Sequence, residues 1–441
     1  MSDLQRKWAK ARMSAMANES FNELDEVEEN GTLPELPEFT DDDSSSASSA
    51  SSTGTVVPSP SRNLFARPQG APRGRTLEPI PWTTYFEREL FLKPEDKPGT
   101  TYHAYLTSPV DKGPLFVMHH GAGSSGLTFA VLSTELRKRL PSAGILSPDA
   151  RGHGSTTTPD DSHPGGTSSS SSPDLSLATL SADLLAVIRL TQAEMRWPKL
   201  PPIILVGHSL GGAVVTDLAS SGLLGGALLG YAVLDVVEGS AIDALQSMHT
   251  YLSTRPAGFA TLQAGIDWHV RSRTIRNSLS ARTSVPGLLV DAAAAAAEVA
   301  QDGGGTMDGT TTTTTTTTSS TAAGGAAAVA ANRRWKWRTD LAATQPFWEG
   351  WFVGLSKKFL GARGGKLLLL AGTDRLDTEL TIGQMQGKYA LQVFPEAGHF
   401  IHEDLPEKTA MTLVDFYRRN DRSALVLPPK VSEMLAQGKK I

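Results

Sequence analysis

Residues 202–212 read PIILVGHSLGG, a short apolar run that leads into a Gly-x-Ser-x-Gly turn. Residues 213–219 continue with apolar side chains at the spacing of a helix face. This strand, turn and helix predict a nucleophile elbow, a turn so sharp that only small residues fit on either side of the serine. Gly207 and Gly211 supply that room, and Ser209 is the predicted nucleophile.

The helix that follows the turn adds a second chemical feature. Because Ser209 stands at the predicted start of a helix, the N–H of Leu210 is free and the helix dipole points toward the serine. An oxyanion that forms on an acyl group at Ser209 would be stabilised there. Although Gly-x-Ser-x-Gly also arises by chance in a chain with 41 glycines, the flanking strand and helix favour a site for acyl transfer.

Several segments of the 441-residue chain have a composition that does not favour packing in a core. Residues 161–173 read DSHPGGTSSSSSP, and residues 291–331 hold alanine runs, a glycine triplet and nine consecutive threonines. Such stretches lack the apolar surface that offsets the entropy of ordering. We interpret them as insertions in one domain over residues 77–425, with a disordered leader at 1–76 and a tail at 426–441.

Charge and cysteine content exclude several classes of protein. The net charge of −5 and the pI near 6.1 give no indication of binding to nucleic acid or to a membrane. The basic residues 6–12 are not followed by the apolar core of a signal peptide. The chain has no cysteine, which excludes disulfides and thiol catalysis and favours a cytoplasmic or nuclear location.

Short apolar runs alternate with helical patterns along most of the chain. They cover residues 114–118, 144–147, 203–206, 228–234, 366–370 and 389–394, and a predicted antiparallel pair, 85–92 and 101–108, precedes them. Strands buried between helices are typical of a mostly parallel, doubly wound sheet. Together with the elbow, they predict the α/β-hydrolase fold, with a helical cap at about residues 240–365 between the sixth and seventh strands.

Two further groups of polar residues follow predicted strands, where ligands of such sheets bind. The strand at 114–118 ends in HHGAG, and the loop after this strand supplies the second oxyanion donor in α/β-hydrolases, which we assign to the N–H of Ala122. The last strand ends in PEAGH, and its His399 has the position of the general base in the chain order serine, acid, histidine.

The acid of this arrangement has two candidates. Asp235 closes the strand at 228–234, and Asp374 closes the strand at 366–370. Either strand end could bring a carboxylate to the far nitrogen of His399, and spacing alone does not choose between them.

Other polar residues near the predicted site are assigned structural roles. The loop DARGHG at 149–154 lies at the same edge, and we expect Asp149 and Arg151 to brace it. His402 follows His399 by three residues, but no third ligand stands at a recognisable spacing, so we predict no metal site. No cofactor is predicted either.

Beyond the elbow, the chain resembles the protein phosphatase methylesterases. The resemblance covers roughly residues 78–420 and rests on DVVEGSAIDAL at 235–245, RNS at 276–278, SAR at 280–282, WEGWF at 348–352, LLLLAGTDRLD at 367–377, TIGQMQGK at 381–388, GH at 398–399, HED at 402–404 and the aromatic residues at 81–86. These blocks lie outside the general hydrolase pattern, which makes the resemblance specific.

The resemblance implies both an activity and the identity of the acid. Members of the family remove the methyl ester from the C-terminal leucine of the type 2A protein phosphatase catalytic subunit, their substrate and binding partner. The aspartate that opens DVVEG in the family corresponds to Asp235, with Ser209 and His399 as its partners. The resemblance also implies that the triad becomes fully aligned only when the phosphatase docks, and that the enzyme contacts the metal-containing active site of the phosphatase.

The chain departs from the family pattern in its oxyanion turn, in its cap and outside its core. Ala122 stands where relatives more often have glycine, and the 291–331 segment is inserted in the cap. The serine-rich insert at 161–173 and the long leader are further additions. The alternatives to a phosphatase methylesterase are a small-molecule carboxylesterase or lipase, and a phosphatase-binding inhibitor with vestigial esterase activity.

Overall fold

Alternating strands and helices build the computed structural model, which describes residues 77–159, 173–292, 334–372 and 376–421. Its strands are β1 (Arg88–Leu92), β2 (Tyr102–Thr107), β3 (Leu115–His119), β4 (Gly144–Pro148), β5 (Ile203–His208), β6 (Leu228–Leu234), β7 (Leu289–Asp291), β8 (Trp335–Trp337), β9 (Gly365–Leu370) and β10 (Ala390–Val393). Its α-helices are α1 (Ala130–Arg139), α2 (Leu177–Glu194), α3 (Leu210–Ser221), α4 (Glu238–Thr254), α5 (Leu262–Arg271), α6 (Ser278–Leu288), α7 (Trp348–Phe352), α8 (Leu355–Gly361), α9 (Thr378–Met385), α10 (Ile401–Asp404) and α11 (Pro406–Asn420).

Eight of the strands form one sheet in the order β1-β2-β4-β3-β5-β6-β9-β10. The predicted first hairpin is present, since β1 pairs with β2 antiparallel, and β2 pairs with β4 in the same way. The remaining neighbours in this sheet, β4-β3, β3-β5, β5-β6, β6-β9 and β9-β10, are all parallel. The side chains of β3, β4 and β5 are buried along the whole of each strand, as expected for a sheet covered on both faces.

Helices cover both faces of this sheet. On one face, α2, α3 and α8 pack against strand residues such as Leu205 and Val233. On the other face, α1 and α11 pack against residues such as Phe116 and Val206. The result is the predicted doubly wound α/β-hydrolase fold, in which the carboxyl ends of the parallel strands share one edge.

The cap lies between the sixth and seventh strands of the main sheet, as predicted, and runs from α4 through α8. It contains a small apolar core of its own, which includes Phe259, Ile266 and Val285. The antiparallel pair of β7 and β8 forms a second, two-stranded sheet in the cap. The cap therefore has packing of its own in addition to its contacts with the sheet.

Several predicted segments fall on residues that the structure does not describe. The leader at 1–76, Asp374, the tail at 426–441, and most of the 161–173 and 291–331 segments lie outside the described residues. Asp291, the first residue of the second segment, belongs to β7 and pairs with Trp335. Among the described residues, no helix has the length and apolar character needed to cross a membrane.

Candidate active site

The predicted elbow is a sharp turn between β5 and α3. Ser209 has φ of 52° and ψ of −120°, a backbone conformation that residues other than glycine seldom adopt. A Cβ on Gly207 would lie 2.1 Å from the carbonyl oxygen of Gly211, and a Cβ on Gly211 would lie 2.0 Å from that of His119. Glycine is therefore required on both sides of the serine, which explains the motif.

Ser209 is held by its backbone and keeps its side chain available. Its N–H donates to the carbonyl of Leu234 at 3.0 Å, and its carbonyl accepts from the N–H of Gly212 at 2.8 Å. Ser209 is partly exposed, whereas its neighbours His208 and Leu210 are buried. Among the described residues, the Ser209 hydroxyl makes no hydrogen bond.

His399 and Asp235 come together at the same edge of the sheet, although 164 positions separate them in the chain. The Nδ1 atom of His399 lies 2.8 Å from Oδ2 of Asp235. Asp235 is 3% exposed, and its Oδ1 accepts from the N–H of Ala371 at 2.9 Å. Because a carboxylate faces Nδ1, that nitrogen carries the proton, which leaves Nε2 of the half-exposed imidazole as a proton acceptor.

His208 connects the elbow to the loop at residues 394–400, here named the histidine loop because it carries His399. This role of His208 was not predicted from the sequence. Its Nε2 donates to the carbonyl of His399 at 2.9 Å, and the two rings lie 4.6 Å apart. Burial, together with the nearby His399, lowers the pKa of His208 to about 3, so its ring is neutral. His208 thus holds His399 close to Ser209, the residue that follows His208 in the chain.

The turn after β3 lies against the elbow. A Cβ on Gly121 would lie 3.1 Å from the Cβ of Ser209. The N–H of Gly123 donates to Nε2 of His153 at 2.8 Å, so it is already used. Within the described residues, the N–H of Ala122 has no acceptor, and neither has the N–H of Leu210 in the first turn of α3. These are the two donors that the sequence assigned to the oxyanion.

Buried side chains hold this turn in place. His120 donates from Nδ1 to the carbonyl of Gly121 at 2.8 Å and accepts at Nε2 from the N–H of Ala150 at 2.9 Å. Burial and two neighbouring histidines lower the pKa of His120 well below its usual value, which keeps the ring neutral. His120 therefore fixes the backbone of the oxyanion turn against the loop after β4.

The 149–154 loop is braced as expected. Asp149 accepts from the N–H groups of Gly126 and Ser155 at 2.7 and 2.8 Å. Arg151 forms an ion pair with Asp183, with 2.8 Å between Nε and Oδ2. Both side chains are engaged in holding backbone and helix α2 together.

His402 and Glu403 form a buried group next to the histidine loop. Nε2 of His402 lies 2.8 Å from the hydroxyl of Thr128, and the hydroxyls of Thr128 and Ser284 each donate to Glu403 at 2.5 Å. Burial raises the pKa of Glu403 to about 8, against the lowering effect of the two hydroxyls. His402 thus has a hydroxyl partner, and the described residues contain no cluster of three groups able to hold a metal ion.

The fold and the elbow define the class of the protein, an α/β hydrolase. The family model described as alpha/beta hydrolase family matches residues 116–412. A solved structure of E-2-(acetamidomethylene)succinate hydrolase is similar in fold, with a TM-score of 0.51 at 17% identity over 75% of this chain and 99% of that one.

Curated relatives narrow the class to one family. Protein phosphatase methylesterase 1 of Gibberella zeae is 67% identical over the whole of both chains. That of Neurospora crassa is 65% identical, also over the whole of both chains, and that of Bos taurus is 40% identical over 80% of this chain and 89% of its own. The chain belongs to the protein phosphatase methylesterase family and is an esterase, in agreement with the resemblance read from the sequence blocks.

Proposed function

We propose that this enzyme hydrolyses the methyl ester on the C-terminal leucine of the type 2A protein phosphatase catalytic subunit. Ser209 acts as the nucleophile, His399 as the general base, and Asp235 as the acid that orients the imidazole. The observation that carries this proposal is the hydrogen bond between His399 Nδ1 and a buried Asp235, formed beside the strained elbow that presents Ser209. The names of the relatives supply the substrate class.

The first half of the reaction forms an acyl-enzyme. The Ser209 Oγ attacks the ester carbonyl carbon while Nε2 of His399 takes the hydroxyl proton. The N–H groups of Leu210 and Ala122 donate to the oxygen that becomes negative. The bond between the carbonyl carbon and the methoxy oxygen then breaks, and His399 passes its proton to this oxygen, which leaves as methanol.

The second half of the reaction releases the product. A water molecule gives a proton to His399 and attacks the acyl carbon, and the bond to Ser209 Oγ breaks as the proton returns to that oxygen. The product is the free carboxylic acid of the leucine, which loses its proton to solvent. Asp235 stays ionised and stabilises the imidazolium in both halves.

The Ser209 hydroxyl makes no hydrogen bond in the described structure, and this supports an enzyme that becomes fully active when it binds the phosphatase. In free enzymes, catalytic hydrogen bonds are often long and tighten only in the complex with substrate. A methyl ester offers a leaving group of one carbon, so the binding energy for alignment must come from the rest of the phosphatase. The absence of cysteine and the nature of this partner support a cytoplasmic or nuclear location.

The test is a comparison of two substrates with the purified full-length chain. Specificity constants are measured on methylated phosphatase catalytic subunit and on p-nitrophenyl acetate. We expect the phosphatase to be favoured by on the order of 10²-fold or more in kcat/KM, because remote contacts contribute to catalysis. Faster hydrolysis of the short ester would indicate a general carboxylesterase or lipase, and tight binding of the phosphatase without demethylation would indicate an inhibitor.

A further inference from the structure

Asp404, at the end of α10, joins two segments that are far apart in the chain. Its Oδ2 accepts from the N–H of Gly398 at 2.7 Å, and its Oδ1 accepts from the N–H of Arg276 at 2.8 Å. The side chain of Asp404 is 2% exposed. Gly398 immediately precedes His399, and Arg276 lies two residues before cap helix α6. One buried carboxylate therefore holds both the histidine loop and the entrance to a cap helix.

The side chain of Arg276 strengthens the same junction from the cap. Its Nε lies 3.7 Å from Oδ2 of Asp404, and its Nη1 donates to the carbonyl of Glu396, also in the histidine loop. Asn277 then caps α6 by accepting from the N–H of Leu279 at 2.9 Å. A shift of the start of α6 would therefore pull on the loop at two points.

Helix α10 is itself fixed to α6. The hydroxyl of Ser280 donates to the backbone carbonyl of Glu403 at 2.8 Å, and that of Ser284 donates to the Glu403 carboxyl group. Thr128, from the 3-10 helix before α1, donates to the other oxygen of Glu403. Asp404 thus extends from a helix that is hydrogen-bonded to α6 at two points.

Two residues that follow or end strands of the main sheet form hydrogen bonds with His399 itself. His208 at the end of β5 binds its carbonyl, and Asp235 after β6 binds its Nδ1. We propose that Asp404 is a positioning residue that couples the cap to the site, so that the orientation of His399 depends on where α6 lies. This inference rests on the proposed role of His399. A partner that presses on the cap would thereby act on the general base without touching it.

Asp404→Asn removes one of the two backbone bonds with little change in shape. An amide accepts through one oxygen only, so either Gly398 or Arg276 faces an –NH2 group in place of an acceptor. A small displacement of a catalytic group far from the reacting atoms can lower turnover by on the order of 10²-fold. We expect kcat on p-nitrophenyl acetate to fall by about that factor, with KM nearly unchanged.

Asp377→Asn is the matched control. Asp377 also accepts a backbone N–H, that of Leu380 at 2.8 Å, and a hydroxyl, that of Ser356 at 2.5 Å, but it caps α9 and makes no bond to the histidine loop. We expect this variant to lose stability in urea and to keep kcat. Equal losses of kcat in the two variants would overturn the proposal, because they would show a general effect of stability.

A second readout does not depend on esterase activity. The Nδ1 proton of His399, shared with Asp235, gives a low-field proton resonance in protein labelled with ¹⁵N-histidine. We expect this resonance to shift or broaden in Asp404→Asn and to be unchanged in Asp377→Asn. An unchanged resonance together with wild-type kcat in Asp404→Asn would refute the coupling. If the wild type shows no activity that depends on Ser209, the proposed function fails, whereas the resonance still decides whether Asp404 orients His399.

Arg276→Gln provides the test if Asp404→Asn does not fold. The guanidinium is partly exposed, so its loss leaves the core intact. It removes the side-chain contacts of Arg276 with Asp404 and with the carbonyl of Glu396, whereas the N–H of Arg276 keeps its bond to Asp404. We expect a severalfold loss of kcat and a shifted His399 resonance. Wild-type values of both in Arg276→Gln would overturn the proposal.

Discussion

Glu403 provides a quantitative test of the buried group that supports the histidine loop. Its carboxyl group is hydrogen-bonded to two hydroxyls and has no cation among its hydrogen-bond partners in the described structure. Burial raises the pKa of Glu403 to about 8, and the neighbouring Asp404 acts in the same direction. The folded chain therefore keeps this carboxyl protonated at pH values where an unfolded chain ionises it, near pH 4.5.

The sign and size of the effect on stability follow from linkage. Below about pH 4.5 both states carry the proton, and between about pH 4.5 and 8 only the folded state does. The contribution of Glu403 to the free energy of unfolding is therefore largest in acid and is lost as pH rises through the folded pKa. Each pH unit in this window costs about 1.4 kcal/mol, and because the group is half ionised at its pKa, the loss from pH 6 to pH 8 is about 2 kcal/mol.

Glu403→Gln removes the titration and keeps the shape. The wild type should lose about 2 kcal/mol relative to this variant between pH 6 and pH 8, measured by urea unfolding with tryptophan fluorescence. Glu407→Gln, at a glutamate whose side chain is 71% exposed at the start of α11, is the control for the same substitution on the surface. A difference between wild type and Glu403→Gln that does not change with pH would refute the reasoning, since it would show that the hydroxyls hold Glu403 as an anion.

Four further variants test the acid, the elbow and the insertion. Asp235→Asn should lower turnover by on the order of 10⁴-fold because an amide does not fix the proton on Nδ1 of His399. Asp374→Asn should keep most of the wild-type turnover. Steady-state kinetics of the two folded variants would contradict the assignment if Asp374→Asn were the inactive one. Gly207→Ala should fail to give a folded, active enzyme, because its Cβ would lie 2.1 Å from a backbone carbonyl of the turn; a thermal melt like that of the wild type would contradict the geometry. Replacing residues 293–333 by a short Gly/Ser bridge should leave the melting temperature and basal esterase activity nearly unchanged, since a shorter loop costs less entropy to close; a large fall in melting temperature would show that the segment packs.

Local patterns in the sequence were sufficient to predict the fold, and they are also the basis for proposing Ser209 and His399 as two members of the triad. The strand at 203–206 and the helix after Ser209 follow from short-range periodicity and from the steric limits of the turn. His399 follows from its place after the last strand. These features depend on residues that are neighbours in the chain.

The acid could not be chosen from the same patterns. Asp235 and Asp374 both close apolar strands, and the strand that brings its carboxylate to the imidazole depends on sheet order and on the path of the loops. The resemblance to the methylesterases favoured Asp235, and the structure places Asp235 against His399. Asp374 lies outside the described residues. The variants Asp235→Asn and Asp374→Asn therefore compare the two carboxylates directly.

The supporting residues were missed because their partners are distant in the chain. His208 binds a carbonyl 191 positions away, Glu403 binds hydroxyls 119 and 275 positions away, and Asp404 binds an N–H 128 positions away. A single sequence holds no signal for such pairs. The sequence itself shows only a histidine at the end of an apolar run and an acidic pair, Glu403 and Asp404, after His402.

The most direct test of the proposed function is the demethylation of methylated phosphatase catalytic subunit by wild type and by Ser209→Ala, with binding measured in parallel. Removing one hydroxyl leaves the docking surface intact, so we expect the variant to bind the phosphatase like the wild type and to lose demethylation by on the order of 10⁴-fold or more. Demethylation by Ser209→Ala within about tenfold of the wild-type rate would contradict the assignment of Ser209 as the nucleophile.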